Sequence, residues 1–209
     1  MRNLLFCGLV LALLGCPRTA PRPNQTAADD LSIPVPEFKL TERSGKSISR
    51  DDLKGKVWVA SFVFTRCTGP CPQVTATMAR LQSELRLTDT SDLRLVTFTV
   101  DPERDTPDDL RDYAKHYSAD QDRWLFLTGK EEEIHQLLKD GFKVTAQRSK
   151  SAKAGEEFDH SSRLVVVDKR GNIRGIADGA RSGSSLDPDA DLTASLEKLK
   201  TKVAELLKE

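Results

Sequence analysis

The chain has no excess charge: 32 lysines and arginines face 32 aspartates and glutamates, mixed in sign along its length. No basic stripe exists that could track a phosphate backbone, so nucleic-acid binding is set aside. The apolar run Leu4–Leu14 is too short to span a bilayer, which needs roughly 20 residues. There is no internal repeat, and no proline stands between Pro107 and Pro188. What is present, 209 residues, suffices for one domain with a sizeable core, or for one domain and a tail.

The N-terminus reads as an address. Met1-Arg2-Asn3 is a basic start, and Leu4–Leu14 is the apolar segment of a secretory signal. Leu13-Leu14-Gly15-Cys16 resembles a bacterial lipoprotein box, in which the cysteine takes lipid and becomes the new N-terminus. Residues 1–15 are thus expected to be a signal, 16–34 a flexible spacer rich in Pro, Thr and Ala, and 35–209 a folded domain. Lipid on Cys16 would hold the protein to a membrane by acyl chains, on the extracytoplasmic side of a bacterial envelope. Of four cysteines, Cys7 then leaves with the signal and Cys16 carries lipid. Only Cys67 and Cys71 remain in the domain. An exported compartment permits a disulfide. A pair closing so small a loop adds little chain-entropy stabilisation, which favours a working pair over a structural one.

That pair sits where a strand hands over to a helix. Val57–Phe64 is a continuous apolar run, expected as a buried strand. It breaks at Thr65-Arg66-Cys67, turns through Thr68-Gly69-Pro70, and restarts as a helix at Pro72, a residue suited to a first helical position. Val74, Met78, Leu81 and Leu85 share one face of that helix, and Met78 is assigned to packing. Cys71 therefore lies at a helix N-terminus, where its thiol is expected to titrate below the usual range. Two thiolates on a short loop can close a disulfide or clamp a soft metal.

The remaining elements follow in order. Phe38 and Leu40 precede Gly45-Lys46 in a short hairpin, and Ser49–Gly55 makes one helical turn closed by glycine. Leu93–Val100 is a second core strand, ending at Asp101-Pro102. Thr106-Pro107 starts a helix, and Trp124–Leu127 is a third strand. Thr128-Gly129-Lys130-Glu131 reads as a capping box for a helix with Ile134, Leu137 and Leu138 buried and Gly141 at its end. Ser149–Glu157 is a polar loop. Arg163–Asp168 and Ile173–Ala177 form a hairpin through Asp168–Asn172, and Leu192, Leu196, Leu199, Val203 and Leu206 mark the last helix. Strand–helix alternation with a closing hairpin implies an α/β fold with a mixed sheet. The cysteine pair at the end of the first core strand makes it thioredoxin-like.

Three segments carry a family likeness: Phe64-Thr65-x-Cys67-x3-Cys71-Pro72, then Val100-Asp101-Pro102-Glu103-Arg104-Asp105-Thr106-Pro107, then Asp159-His160-Ser161. In this order the chain resembles the Sco (SenC) family over roughly residues 35–207. The resemblance implies a copper-binding, thioredoxin-like protein that helps to assemble the copper centre of cytochrome c oxidase. Carried over by position, the copper ligands are Cys67, Cys71 and His160. Thiolates suit Cu(I), and an added imidazole lets the same site accept Cu(II). The implied partners are the copper-binding oxidase subunit and an upstream copper donor or thiol reductant.

The rival function is a thiol–disulfide oxidoreductase working through a Cys67–Cys71 disulfide, with little need of His160. Redox enzymes of this fold usually place a cis-proline before the third core strand, and none stands there. A thiol peroxidase would need a cationic pocket, for which Arg66 alone is slim support. Of the other histidines, His116 reads as a capping or surface residue and His135 as exposed. Asp101 suits a turn with Pro102 or support of the metal ligands. One departure from the family pattern is Thr68, where proline commonly follows the first cysteine; it bears on how the loop bends, and so on affinity and redox potential.

Overall fold

The computed structural model describes residues 31–144, 146–149, 151–159, 161–183 and 186–209. The expected signal, Cys16, most of the expected spacer and His160 lie outside the described residues. Among the described residues no helix is long and apolar enough to cross a membrane.

The strands in chain order are β1 (Ile33–Pro34), β2 (Lys39–Glu42), β3 (Ser47–Ser49), β4 (Val57–Val63), β5 (Leu93–Thr99), β6 (Trp124–Thr128), β7 (Gln147–Arg148), β8 (Phe158–Asp159), β9 (Arg163–Val167) and β10 (Asn172–Asp178). The α-helices are α1 (Cys71–Glu84), α2 (Pro107–His116), α3 (Glu131–Leu137) and α4 (Pro188–Lys208). The main sheet runs β1-β10-β9-β4-β5-β6-β2-β3. Its centre, β4-β5-β6, is parallel; β9 lies antiparallel on the other side of β4. All seven residues of β4 are buried, as a strand covered on both faces requires.

The two faces of the sheet are built differently. On one, Phe98 of β5 stands among Phe38, Trp58, Phe62 and Phe142. On the other, the buried hydroxyls of Ser61 and Thr97 lie 2.9 Å apart and Trp124 Nε1 donates to Thr97 Oγ1 at 2.9 Å. Those polar groups satisfy one another, so their burial carries no unmet hydrogen bond. Tyr113 of α2 packs edge-on against Phe126 on this face and meets Thr75 of α1 at 2.8 Å. Lys200 of α4 reaches Glu84 of α1 at 2.9 Å.

Two local expectations fail. Thr128 caps nothing: it is the last, buried residue of β6, and its hydroxyl donates to the Asp105 carbonyl at 2.9 Å. Lys130 stands at the N-cap of α3 without a side-chain cap bond. Gly141 does not end that helix, which continues through a π turn, Leu138–Phe142, to Lys143 in the left-handed region at φ 56°. Gly141 is instead a close-approach residue, where a Cβ would come within 2.8 Å of Pro36 Cδ. The polar loop after Ser149 is closed by β7 and β8, which pair with each other outside the main sheet.

Candidate metal centre

β4 delivers the chain to the site. Phe64 is buried, and the next residue is tied down by a carboxylate: Thr65 N–H donates to Asp105 at 3.1 Å and Thr65 Oγ1 at 2.6 Å. Thr99 at the end of β5 also donates to Asp105. Asp105 is fully buried, and burial pushes its carboxyl up while the threonine donors oppose the rise. The backbone then turns, with Cys67 N–H on the Phe64 carbonyl at 3.2 Å, and enters α1, with Val74 N–H on the Pro70 carbonyl at 3.0 Å.

α1 begins at Cys71, one residue before the start expected at Pro72, so the cysteine lies at the helix N-terminus as expected and Pro72 takes the second helical position. No disulfide joins the two cysteines in this structure, and the Cys67 side chain lies against that of Cys71. Cys67 is half-buried and its sulfur lies over Gly69; Cys71 is fully buried. The expected lowering of the Cys71 pKa is reversed. Burial pushes this thiol far up, and the neighbouring Cys67 adds to the rise. Removal from water outweighs the helix N-terminus, so Cys71 keeps its proton until something displaces it.

The second family segment forms a brace. Asp101 is buried and held by Arg104 and by Arg148 Nη2 at 2.6 Å. Arg148 also reaches Glu103 at 2.8 Å and lies 5.1 Å over the Phe158 ring. Arg104 continues to Glu157 at 2.8 Å. Phe158 in turn packs edge-on against Phe64, ring centres 5.4 Å apart. The chain leading to residue 160 is therefore fastened beside the chain leading to Cys67. The charges of this brace are visible in the sequence; which cation takes which anion is not.

Arg104 holds the Glu157 carboxyl down to about 2 from its ordinary 4.5. The folded value lies below the unfolded one, so this ion pair contributes stability that is fully present above pH 4.5 and lost as the pH falls towards 2. Followed by NMR, the Glu157 carboxyl should titrate near 2, and Arg104→Ala should return it towards 4.5. A wild-type midpoint above about 4 would show that the pair is not formed.

Of the other histidines, His116 is exposed, edge-on to Tyr117 at 5.2 Å. His135, expected to be exposed, is half-buried. Its Nε2 donates to the Val100 carbonyl at 2.9 Å, and its ring lies 6.1 Å from Phe158. Met78 is fully buried in the core, as assigned. Among the described residues no group of three or more His, Cys, Asp or Glu is arranged to hold a metal ion. The adjoining thiols are a two-sulfur donor set, which fits a soft cation.

A family model described as SCO1/SenC matches residues 26–202. A Stutzerimonas stutzeri protein whose name ascribes copper binding to it is 29% identical over 181 residues, 83% of this chain and 87% of that protein. The solved structure of a SCO1/SenC family lipoprotein from Bacillus anthracis superposes with a TM-score of 0.72 at 29% identity, covering 85% of this chain and 96% of that one. The structure of BsSco, described as a member of the Sco family of cytochrome c oxidase assembly proteins with a disulfide switch, gives 0.65 at 32% identity over 83% and 96%. The mixed sheet and its flanking helices are thioredoxin-like, as expected from the sequence.

Proposed function

This chain belongs to the SCO1/SenC family, and from that premise we propose that it is a copper metallochaperone that assists assembly of the copper centre of cytochrome c oxidase. Cys67, Cys71 and His160 are the proposed ligands. The observation that carries this is the placing of Phe158 on Phe64, beside two thiols in contact. Residue 160 is two positions beyond Phe158, and two residues of chain reach at most about 7 Å. The described sulfurs supply the soft half of the donor set. An imidazole completing it accommodates Cu(II) as well as Cu(I).

The two cysteines have unequal parts in handing the metal on. Cys67 is half-buried, so an incoming ligand from the oxidase subunit meets it first; Cys71, inside, lets go last. Copper capture displaces the proton that burial keeps on Cys71, so affinity rises with pH. Residues 1–15 are proposed as a signal, Cys16 as the lipid anchor and 16–34 as the tether that lets residues 35–209 work at the outer face of a bacterial membrane. An upstream copper donor or thiol reductant prepares the pair.

The test is Cu(II) titration of the reduced domain bearing His160→Ala. The expected result is a loss of Cu(II) affinity above about 100-fold with an altered absorption spectrum, because losing even an outer partner of a ligand costs roughly 10–100-fold. An unchanged spectrum and affinity would remove His160 from the site. The contact between the thiols also favours a second reading, a dithiol reductant. In that case Cys67 and Cys71 form a disulfide, giving two electrons and two protons to a target disulfide that becomes two thiols. Full reduction of a target by His160→Ala, with no copper defect, would select this alternative.

A further inference from the structure

A backbone hydrogen bond joins the cysteine loop to the loop between β7 and β8. Thr68 N–H donates to the Gly155 carbonyl at 3.0 Å. The approach is close: a Cβ on Gly155 would come within 2.5 Å of Thr68 Cγ2 and 3.0 Å of the Arg66 carbonyl. Gly155 adopts φ +89°, a conformation that glycine takes without steric cost. Beyond it the loop is tied inward. Gly155 N–H donates to Glu157 Oε2 at 2.7 Å, and Ser149 N–H to the Glu157 carbonyl at 2.7 Å. Glu157 is held by Arg104, which also holds Asp101. A continuous line of bonds thus runs from the residue after Cys67 to the brace beneath Phe158.

We propose that Thr68 is a positioning residue whose backbone amide clamps the cysteine loop to the 151–157 loop, so that the two sulfurs and the chain leading to residue 160 are held in one arrangement before copper arrives. Proline has no N–H and cannot make this bond. Thr68 keeps the donor that a proline at this position would lose. A clamped site has less chain to order on binding and releases its metal more slowly. The consequence for copper rests on the ligand set proposed above; the clamp itself does not.

The experiment measures amide exchange of Ser149, Gly155 and Glu156 in the copper-free reduced protein, and Cu(II) dissociation separately. Thr68→Pro should speed exchange at these amides about 5-fold, the worth of one hydrogen bond, and Cu(II) release by a similar factor. Thr68→Ala keeps the N–H and should leave exchange unchanged. Gly155→Ala attacks the same contact from the other side, without a proline that restricts Cys67, and should reproduce the Thr68→Pro exchange. Unchanged exchange in both Thr68→Pro and Gly155→Ala would overturn the proposal, as would equal loosening by Thr68→Ala. If His160→Ala binds copper normally while Thr68→Pro loosens the loop, the clamp stands and the ligand set falls. If His160→Ala loses Cu(II) and the loop is unmoved by both Thr68→Pro and Gly155→Ala, the ligand set stands and the clamp falls.

Discussion

Cys71→Ser is expected to lower copper affinity by more than about 100-fold, beyond what loss of an outer-shell partner costs, while leaving the fold in place. Serine has nearly the shape of cysteine, so the fully buried slot at the start of α1 is still filled. The hydroxyl can also make a hydrogen bond with Cys67, so little stability is lost. What disappears is the soft donor: an alcohol does not ionise near neutral pH and binds Cu(I) poorly. Cys67→Ser should show the same loss at the more open position. The check is anaerobic titration with a competing Cu(I) chelator, with far-UV dichroism as the control on folding. Stoichiometric, chelator-resistant copper in the Cys67→Ser/Cys71→Ser double variant would refute the site.

The wild-type protein adds a sign to this prediction. Burial holds the Cys71 proton on, so copper must displace it. Affinity is expected to climb as the pH rises, with protons released on loading. Serine at position 71 should remove that position's share of the proton release.

The second large effect falls on stability. Phe98→Ala should destabilise the domain by about 3–5 kcal/mol, the usual cost of emptying a buried phenylalanine site. Phe98 is fully buried on β5, with ring centres 5.8 Å from Phe38, 6.0 Å from Phe62 and 5.4 Å from Phe142. These rings come from four separated segments, so no single neighbour can collapse into the space. For a domain of this size each kcal/mol lowers the melting temperature by about 2–4 °C, so a fall of about 6–20 °C is expected. Urea unfolding measures the change directly. A loss under about 1.5 kcal/mol would mean that the aromatic cluster is loosely packed.

Much of this could be read along the chain. The unbroken apolar run became β4, buried at every residue. Cys71-Pro72 opened α1, and Thr106 capped α2 with Pro107 inside it. The Asp168–Asn172 turn paired β9 with β10. In each case residues within a few positions settle the outcome: a missing N–H, a side-chain oxygen in reach of the next turn, an apolar period. The failures came where a distant partner outbid a local one. Thr128 looked like a cap but gave its hydroxyl to Asp105. His135 looked solvated on a charged helix but found the Val100 carbonyl.

The sequence by itself determined the order of the main strands and helices, the strand-to-helix junction that presents Cys67 and Cys71, and the softness of that pair of sulfurs. These depend on covalent neighbours and on atom type. Only the tertiary structure decided that Cys71 is sealed from water, that Arg104 and Arg148 converge on Asp101, and that Thr68 meets Gly155. Desolvation is set by everything that surrounds a group, and pairing by which surfaces the packed sheet brings together. Neither is a property of any short stretch of chain.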